Sequence, residues 1–412
     1  MSYGESMKKN IGIVTTWFER GAAYVSKQFK NALDDEYNVY IYARGGEFYA
    51  VGSVEWDKDY VTWQNKTAFY RDTYIIKKSF KKWINDNQIS LVIFNEQKWL
   101  MPILWCREAG VKTIAYVDYY TKESVDLFDC YDGLICNTKR HFSVFQWHKR
   151  SSYVQWGTDI DLYKPREFST EKNYVTLFHS CGMSPFRKGT DLLIRAVKDI
   201  KENFRLVIHS QVDLLKEFPK LNEDIRYLIK NNKLELVVET VSAPGLYSVG
   251  DIYIYPSRLD GLGLSLVEAI SCGLGVITTD EPPMNEFIDE SYGLKVSVSK
   301  YVERNDGYYW PMAICDIGDL QKKIEAALRN TTELKKIKKM ARLCAAEKYD
   351  WKANGVDLVA AVREVINNNE NTYDFIKYRP TLSDKFIVIL INYDKLIYVV
   401  YKVYKKIKGF WN

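Results

Sequence analysis

The chain has 412 residues, of which 47% are apolar and 27% charged, and its formal net charge is +5. This is the composition of a globular protein long enough for two domains and an extension, and so small a net charge does not indicate a nucleic-acid-binding protein. The seven cysteines form no C-x-x-C pair, and the four histidines do not stand at metal-ligand spacing. We therefore expect reduced thiols, no disulfide framework, no bound metal and no cofactor.

The N-terminal segment MSYGESMKKN is polar, and the apolar run that follows it at residues 11–14 is too short for the hydrophobic region of a signal peptide. No stretch of the chain reaches the roughly 18 to 20 uninterrupted apolar residues of a membrane-spanning helix. These features predict a cytoplasmic protein.

The first part of the chain alternates predicted strands and helices, apart from an aromatic segment at 47–70 that is expected to be irregular or β. The first helix carries Phe29 and Leu33 on its apolar face, and further helices are expected at 73–87, 100–109 and 138–147. Strands are expected at residues 11–15, 39–43, 91–94, 113–117, 133–137 and 153–155. Such alternation indicates a parallel sheet with helices on both faces, and ligands of such sheets bind beyond the carboxyl ends of the strands.

A second series of alternating elements follows, and the chain then closes with three helices. Its strands are expected at residues 175–179, 205–209, 234–238, 252–255 and 276–279. Its helices are expected at residues 190–200, 222–230, 265–273, 318–330, 332–347 and 352–367. The same rule therefore selects the loops at the strand ends of this half as candidate ligand sites.

The segment 251–286 brings a strand, a glycine loop and a helix N-terminus to one place. Gly261 and Gly263 allow the backbone to bend sharply and to bring its N–H groups close to a ligand. The helix that begins near Ser265 directs its positive end to the same point, which favours an anion such as a phosphate. Ser265 and Glu268 also fit a capping box, in which Glu268 only satisfies backbone donors. For the S-x-x-E pattern taken alone, the capping box is the commoner case.

The sequence PSRLDGLGLSLVEAISCGLGVITTD at 256–280 resembles the E-x7-E signature of family 4 glycosyltransferases, which are retaining, use nucleotide sugars and belong to glycosyltransferase group 1. It departs from that signature at Asp260, where a glutamate is usual, at Leu262 in place of a phenylalanine, and at Gly275 in place of a proline. The resemblance covers about residues 10–368. It implies the α/β fold called GT-B, with two Rossmann-like doubly wound domains facing across a cleft, and leaves a C-terminal extension.

Two further segments resemble landmarks of the same family. The sequence VQWGTDIDLYKP at 154–165 resembles the segment between the two domains, and YDW at 349–351 resembles the start of the helix that returns to the first domain. The resemblance thus implies an acceptor domain at 1–160, a nucleotide-sugar-binding domain at 161–350 and a returning helix at 351–368. A basic, aromatic tail occupies 369–412.

The resemblance also implies which residues bind the donor. Lys188 and Gly189 match the K-G of the family motif G-R-L-x-x-x-K-G, whose arginine position falls on Met183, and we expect Arg187 to substitute for that arginine. Two cations beside a helix N-terminus would stabilise the charge on a departing nucleoside diphosphate, although an exposed surface pair is the alternative. The donor-binding residues implied are Gly21, Arg187, Lys188, Val241, Asp260, Gly261, Leu262, Gly263, Leu264, Glu268 and Glu286.

Within this set, Glu268 is expected on the ribose, the glycine loop on the diphosphate and sugar, and Asp260 and Glu286 on sugar hydroxyls. Gly21 is equally compatible with a tight turn that binds nothing. The catalytic candidates are Asp118, Arg187, Lys188 and Asp260.

Asp118 follows a predicted strand where relatives carry a histidine or an aspartate near the donor sugar, and a helix cap is its alternative role. Asn95 and Glu96 also end a strand and are weaker candidates for acceptor contacts. The resemblance implies retaining transfer without a metal, in which the leaving diphosphate takes the proton of the acceptor. A double displacement through Asp118 remains open.

The tail carries six lysines against one acid, Asp394, between residues 385 and 412. Its sequence FIVILINYDKLIYVVYKVYKKIK suits a helix lying in the surface of an anionic membrane. The alternatives are a β-hairpin turning at 392–395 and a helix docked on the protein itself.

The leading hypothesis is a hexosyltransferase that transfers sugar from a UDP- or GDP-sugar to a glycan or lipid-linked acceptor, in the biosynthesis of a surface polysaccharide or glycolipid. It would work at the inner face of the membrane and would bind no nucleic acid. The alternatives are a synthase of the same fold with a soluble acceptor, and a non-catalytic glycosyltransferase-like scaffold.

Overall fold

A computed structural model of the chain describes residues 8–44, 50–65, 73–165, 173–368, 378–393 and 399. The chain divides into two compact units. The first unit comprises Met1–Asn137, His141–Val154 and Gly355–Asn412, and the second comprises Thr138–Arg140 and Gln155–Asn354.

The first unit is built on one sheet whose described strands are all parallel. These strands are β1 (Lys9–Thr15), β2 (Tyr37–Ala43), β3 (Val61–Trp63), β4 (Leu91–Asn95), β5 (Lys112–Tyr116), β6 (Gly133–Cys136) and β7 (Ser151–Tyr153). Their order is β3-β2-β1-β4-β5-β6-β7, so the order reverses beside β1, as in a Rossmann fold. The predicted parallel, doubly wound sheet is confirmed.

The second unit repeats this architecture. Its parallel strands are β8 (Val175–Gly182), β9 (Phe204–Ser210), β10 (Leu234–Val238), β11 (Ile252–Tyr255), β12 (Gly275–Thr279) and β13 (Gly293–Val296). Their order is β10-β9-β8-β11-β12-β13, again with the reversal beside the first strand. An antiparallel pair, β14 (Val298–Val302) and β15 (Met312–Cys315), adds to this unit and was not predicted from the sequence.

Helices lie between many of these strands in the chain, and four more described helices follow the last strand, β15. They are α1 (Gly21–Leu33), α2 (Lys77–Asp86), α3 (Met101–Glu108), α4 (Lys139–Phe145), α5 (Thr190–Val197), α6 (Leu214–Glu217), α7 (Asn222–Lys230), α8 (Leu264–Ser271), α9 (Ile317–Arg329), α10 (Thr331–Lys348), α11 (Trp351–Asn367) and α12 (Leu382–Asn392). Helix α11 begins in the second unit and belongs to the first from Gly355 onward.

The predicted helix at 73–87 starts later than expected, at Lys77. Thr73 has a φ of 59°, a left-handed conformation that a β-branched residue rarely adopts and that a helix excludes. Its hydroxyl accepts hydrogen bonds from the backbone N–H groups of Lys98 and Trp99, at 3.0 and 3.2 Å. Thr73 therefore hydrogen-bonds to the loop after β4 and is not part of α2.

Helix α12 shows that the first part of the tail is helical. Thr381 and Asp384 form a capping box at its N-terminus, and the indole of Trp99 donates a 3.0 Å hydrogen bond to Asp384. The helix packs against α2. The β-hairpin turning at 392–395 is therefore wrong, because residues 385–391, which would form its first strand, are helical. The parts of the tail predictions that concern 394–398 and 400–412 lie outside the described residues. No helix in the described ranges has the length and apolar character needed to cross a bilayer.

Candidate active site

The loop between β11 and α8 forms the centre of the candidate site. Gly263 precedes α8 with a φ of 87°, a conformation that favours glycine, and the first bond of the helix runs from the N–H of Leu266 to the Gly263 carbonyl at 3.0 Å. The N–H groups of Leu264 and Ser265 therefore precede that first bond at the positive end of the helix. This is the geometry that binds phosphates at helix N-termini.

The capping-box alternative for Ser265 and Glu268 is wrong. Gly263 occupies the cap position, so Ser265 lies inside the helix. The Glu268 carboxylate instead accepts a 2.5 Å hydrogen bond from the phenol of Tyr247, and Tyr163 donates a second one. Burial raises the pKa of Glu268, while these two phenols and Lys188 act in the opposite direction. Glu268 is thus a half-buried carboxylate oriented by two tyrosines.

A second loop brings Lys188 to the same place. Gly189 has a φ of 72°, and a Cβ on it would lie only 2.0 Å from the carbonyl oxygen of Pro256. Only a glycine lets the segment before α5 approach the end of β11 this closely. As a result Lys188 forms a salt bridge with Asp260, and each of these side chains is only 13% exposed.

Tyr255, the last residue of β11, completes this cluster. Its hydroxyl donates to the Asp260 carboxylate and accepts a hydrogen bond from Lys188. Arg187 lies at the edge of the cluster, with Nη1 3.5 Å from Asp260 Oδ1 and 3.0 Å from the carbonyl oxygen of Leu259. A buried carboxylate is therefore surrounded by two cations and a phenol.

The charges of this cluster depend on one another. Burial lowers the pKa of Lys188 to about 8, although Asp260 acts in the opposite direction. Burial alone would raise the pKa of Asp260, but Lys188 and Arg187 hold it below its usual value. At neutral pH the cluster thus carries a charged ammonium and a charged carboxylate.

Arg258 fastens the two loops together. Its guanidinium makes a bidentate salt bridge with Asp191 at 2.7 and 2.8 Å, donates to the carbonyl of Phe186 and lies 4.1 Å from the centre of that ring. His179 bridges the Ile254 carbonyl and the Thr190 hydroxyl, at 2.8 Å each, and burial lowers its pKa to about 4. Through these contacts, Arg258 and His179 hold the end of β11 and the start of α5 in place.

The other predicted donor-binding residues of the second unit lie in or next to the loops after β10, β11 and β12. Leu262 is buried at 4% exposure, while Gly261 and Leu264 beside it are half-buried, and Val241 is half-buried in the loop after β10. The Glu286 carboxylate accepts hydrogen bonds from the backbone N–H groups of Lys139 and Arg140, at 2.7 and 2.8 Å. Glu286 thus binds the N-terminus of α4, which the sequence did not suggest.

In the first unit, the predicted residues lie at the carboxyl ends of the strands. Gly21 is exposed at the start of α1, whereas Asn95 is only 2% exposed and donates 2.8 Å hydrogen bonds to the Ala22 carbonyl and the Ser26 hydroxyl. Asn95 therefore ties β4 to α1 and is not exposed to an acceptor.

Glu96 and Asp118 lie side by side in this unit. Their carboxyl groups hydrogen-bond each other, and burial first, then Glu96, raises the pKa of Asp118 well above its usual value. Arg44, which is 7% exposed, donates to the carbonyls of Glu96 and Asn95 at 2.8 and 3.0 Å. No α-helix begins at Asp118, since the next helical element is a 3-10 turn at Val125–Cys130, so the helix-cap alternative is wrong.

Several residues of these clusters were missed by the sequence analysis. Tyr255 could have been found, because it is the last residue of the predicted strand IYIY. Side chains alternate along a strand, so Tyr255 lies on the same face as Tyr253. Tyr163, Tyr247 and Arg44 carried no local signal. Within the part of the chain that the structure describes, no group of three or more His, Cys, Asp and Glu side chains is placed to hold a metal ion.

Part of the second unit matches a known glycosyltransferase family. The family described as glycosyl transferases group 1 matches residues 175–305, which include Lys188, Asp260, Glu268 and Glu286. A curated relative, the GtfA subunit of the UDP-N-acetylglucosamine–peptide N-acetylglucosaminyltransferase of Streptococcus pneumoniae serotype 4, is 24% identical over 276 residues. That alignment covers 58% of this chain and 52% of GtfA, so the chain spans about half the length of this relative.

Two solved structures share the fold over most of the chain. A glycosyltransferase of Rickettsia africae superposes with a TM-score of 0.70 at 16% identity, covering 88% of this chain and 100% of that one. Anabaena HepE in complex with UDP and glucose superposes with a TM-score of 0.66 at 14% identity, covering 86% and 99%. These likenesses confirm the predicted GT-B fold. Residues 175–305 thus match the glycosyltransferase group 1 family, in a chain with the GT-B fold.

Proposed function

We propose that the protein is a retaining glycosyltransferase of family 4 that transfers a hexose from a UDP- or GDP-sugar to a glycan or lipid-linked acceptor. The observation that carries the proposal is the cluster of Lys188, Asp260 and Tyr255 beside the N-terminus of α8, inside the segment that matches the glycosyltransferase family. Together with Arg187 and the end of α8, this cluster provides two cations, a helix N-terminus and a carboxylate, which are groups suited to a nucleotide sugar.

The diphosphate, the sugar and the ribose of the donor each have a matching group in the second unit. Lys188, Arg187 and the first N–H groups of α8 would bind the diphosphate and stabilise the negative charge that grows on it as the sugar leaves. Asp260 would accept hydrogen bonds from sugar hydroxyls, and Glu268 from the ribose. The diphosphate oxygen, held beside the cations, would take the proton of the attacking acceptor hydroxyl, so that no carboxylate nucleophile is needed.

The relatives support a uridine nucleotide as the donor. HepE is known in complex with UDP and glucose, and GtfA in complex with UDP and N-acetylglucosamine. A transferred sugar of either kind presents hydroxyls to which Asp260 could bind. For the first unit we propose the acceptor, with Asp118 as the residue that orients a hydroxyl group there.

Helix α12 supports a membrane-associated acceptor. Leu382, Phe386 and Ile389 are 85%, 59% and 55% exposed, and their spacing places them on one face of the helix. Tyr393, the residue after the helix, is 62% exposed. The opposite face, which includes Ile387 and the buried Ile391, packs on the protein. An apolar stripe beside a lysine-rich segment suits the interface of an anionic bilayer, so we propose peripheral attachment to the inner face of the membrane.

The proposal is tested by incubating the protein with UDP-, GDP- and ADP-sugars and measuring the release of free nucleoside diphosphate. We expect release from a UDP- or GDP-sugar, faster in the presence of membrane lipid extract or glycan. Release that responds only to free sugars would favour a synthase with a soluble acceptor. If the protein neither binds nor turns over any donor, the proposal is contradicted and a non-catalytic scaffold is favoured.

A further inference from the structure

Tyr247 and Tyr163 approach Glu268 from two separate parts of the second unit. Tyr247 opens the 3-10 turn Tyr247–Val249, which follows β10, and Tyr163 belongs to the segment before β8. Tyr247 lies 21 residues before Glu268 in sequence and donates to its Oε2 at 2.5 Å, and Tyr163 donates to the same carboxylate. Two independent segments thus fix one side chain.

The two tyrosines are themselves held rigidly. The Tyr247 ring packs edge to face against Phe178 and Tyr253, with ring centroids 5.5 and 5.7 Å apart, and it is 6% exposed. The backbone of Tyr163 is tied by Arg342, which donates 3.0 Å hydrogen bonds to the carbonyls of Tyr163 and of Ser271 at the end of α8. The Tyr247 ring therefore cannot turn away from Glu268 without breaking its aromatic contacts, and Arg342 fixes the backbone from which the Tyr163 side chain extends.

Both phenols act as donors. Burial first and then Glu268 raise the pKa of Tyr247 well above its usual value, so its proton stays in place at neutral pH. A carboxylate offers about four lone-pair positions. With two of them occupied by fixed phenols, the remaining ones accept from two further hydroxyl groups in a fixed relative direction. A cis-diol supplies two such hydroxyls, whereas a single hydroxyl leaves one position of a half-buried carboxylate unsatisfied.

We propose that Tyr247 and Tyr163 are positioning residues that aim Glu268 at the 2′,3′-diol of the donor nucleotide, and that they make the site select ribonucleotides over 2′-deoxyribonucleotides. This inference rests on the proposed function, because it assumes that a nucleoside diphosphate binds beside α8. It assigns to the two phenols a role in specificity that is separate from the binding of the phosphates.

The test is calorimetric titration of the full-length protein with UDP, GDP and their 2′-deoxy counterparts. For the wild type we expect the ribonucleotide to bind at least about tenfold more tightly, since a site built around a hydrogen bond rejects a ligand that lacks it. In Tyr247→Phe and Tyr163→Phe this ratio should fall several-fold, because Glu268 is free to turn. Tyr292→Phe is the matched control, since the buried Tyr292 hydroxyl donates its 2.6 Å hydrogen bond to the Phe287 carbonyl rather than to Glu268.

A second readout separates positioning from a general loss of structure. The Tyr247 and Tyr163 hydrogen bonds lower the pKa of Glu268, against the effect of burial. Removal of the Tyr247 hydroxyl should therefore move the acid limb of the UDP-binding pH profile to higher pH, with Lys188 as the other charged group that acts on Glu268. A variant that is merely less stable would not shift this limb.

The outcomes distinguish this inference from the proposed function. If the wild type binds UDP or GDP but both tyrosine variants keep its ribose preference, or if the wild type has no such preference, the inference is wrong while the proposed function stands. If the wild type binds no nucleoside diphosphate at all, the proposed function and the inference are both contradicted.

Discussion

The Lys188 ammonium group and the Asp260 carboxylate form a salt bridge in which each side chain is 13% exposed. One partner comes from the segment before α5 and the other from the loop after β11, so the ion pair joins the two loops that build the candidate site. Because the pair is buried, each charged group depends on the other for its stabilisation.

Replacement of Lys188 by methionine should lower the free energy of unfolding by roughly 3 kcal/mol, because the buried Asp260 carboxylate then keeps only the more exposed Arg187 and the Tyr255 hydroxyl as partners. Urea denaturation measures this change. The matched control is Lys198→Met, whose salt bridge with Asp224 joins side chains that are 40% and 30% exposed and whose loss should cost less than about 1 kcal/mol. Equal effects of the two substitutions would show that the Lys188 pair is not buried in solution.

The affinity for nucleoside diphosphate should fall at alkaline pH. Burial lowers the pKa of Lys188 to about 8, so the ammonium group is charged below this pH and neutral above it. Binding of an anion therefore weakens as pH rises through about 8, by up to tenfold for each pH unit if the charge is essential. In Lys188→Arg the guanidinium stays charged, and this limb should be absent. A wild-type profile that is flat to pH 10 would contradict the prediction.

Asp118→Asn should make the protein more stable at neutral and alkaline pH. Burial and the neighbouring Glu96 raise the pKa of Asp118 in the folded protein above its usual value of 3.8. In the wild type, stability is therefore full below the unfolded value and is lost as pH rises through the folded one. The amide avoids this loss, so the gain should be small near pH 4 and grow with pH, by about 1.4 kcal/mol for each unit of the shift.

Thermal unfolding between pH 4 and pH 9 measures this difference. Glu123→Gln is the control, because Glu123 is an exposed carboxylate in the same loop. A gain for Asp118→Asn that is the same at every pH would mean that the aspartate is not held against Glu96.

Attachment to membranes should depend on the exposed stripe of α12. Burial of a phenylalanine or isoleucine side chain contributes about 1.5 to 3 kcal/mol, so Phe386→Glu and Ile389→Glu should each reduce binding to anionic phospholipid vesicles by about tenfold or more. Vesicle co-sedimentation provides the measurement. Val356→Glu, which changes a residue on α11 that is 63% exposed, should have no effect. If both α12 variants bind vesicles as the wild type does, the membrane role of α12 is contradicted and the helix is only docked on the protein.

Local patterns predicted most of the fold. Strand β11 occupies the residues expected from its apolar run, and α7 and β10 also begin and end as expected. The glycine loop and the start of α8 lie next to each other in sequence, so that part of the site followed from one stretch of residues. Lys188 lies 72 residues before Asp260, and only the resemblance to a family motif suggested that the two belong together.

Other features depend on tertiary contacts that no local pattern encodes. The capping box was plausible until the structure showed that Gly263 is the N-cap of α8 and that the Tyr247 phenol donates its hydrogen bond to the Glu268 carboxylate. Asn95 was a candidate for acceptor contacts because it ends a strand, but its side-chain amide hydrogen-bonds to α1. Strand β14 is short and mostly exposed, and β15 is a run of only four apolar residues, so neither shows the apolar–polar alternation by which strands are recognised.

The most direct test of the account is calorimetric titration of UDP and GDP into the wild-type protein and into Lys188→Met. The account predicts binding of one nucleotide per chain by the wild type and an affinity about a hundredfold lower in the variant, since a charged hydrogen bond to the phosphates is lost. A wild type that binds neither nucleotide, or a correctly folded Lys188→Met protein with unchanged affinity, would contradict the placement of the donor beside Lys188 and Asp260.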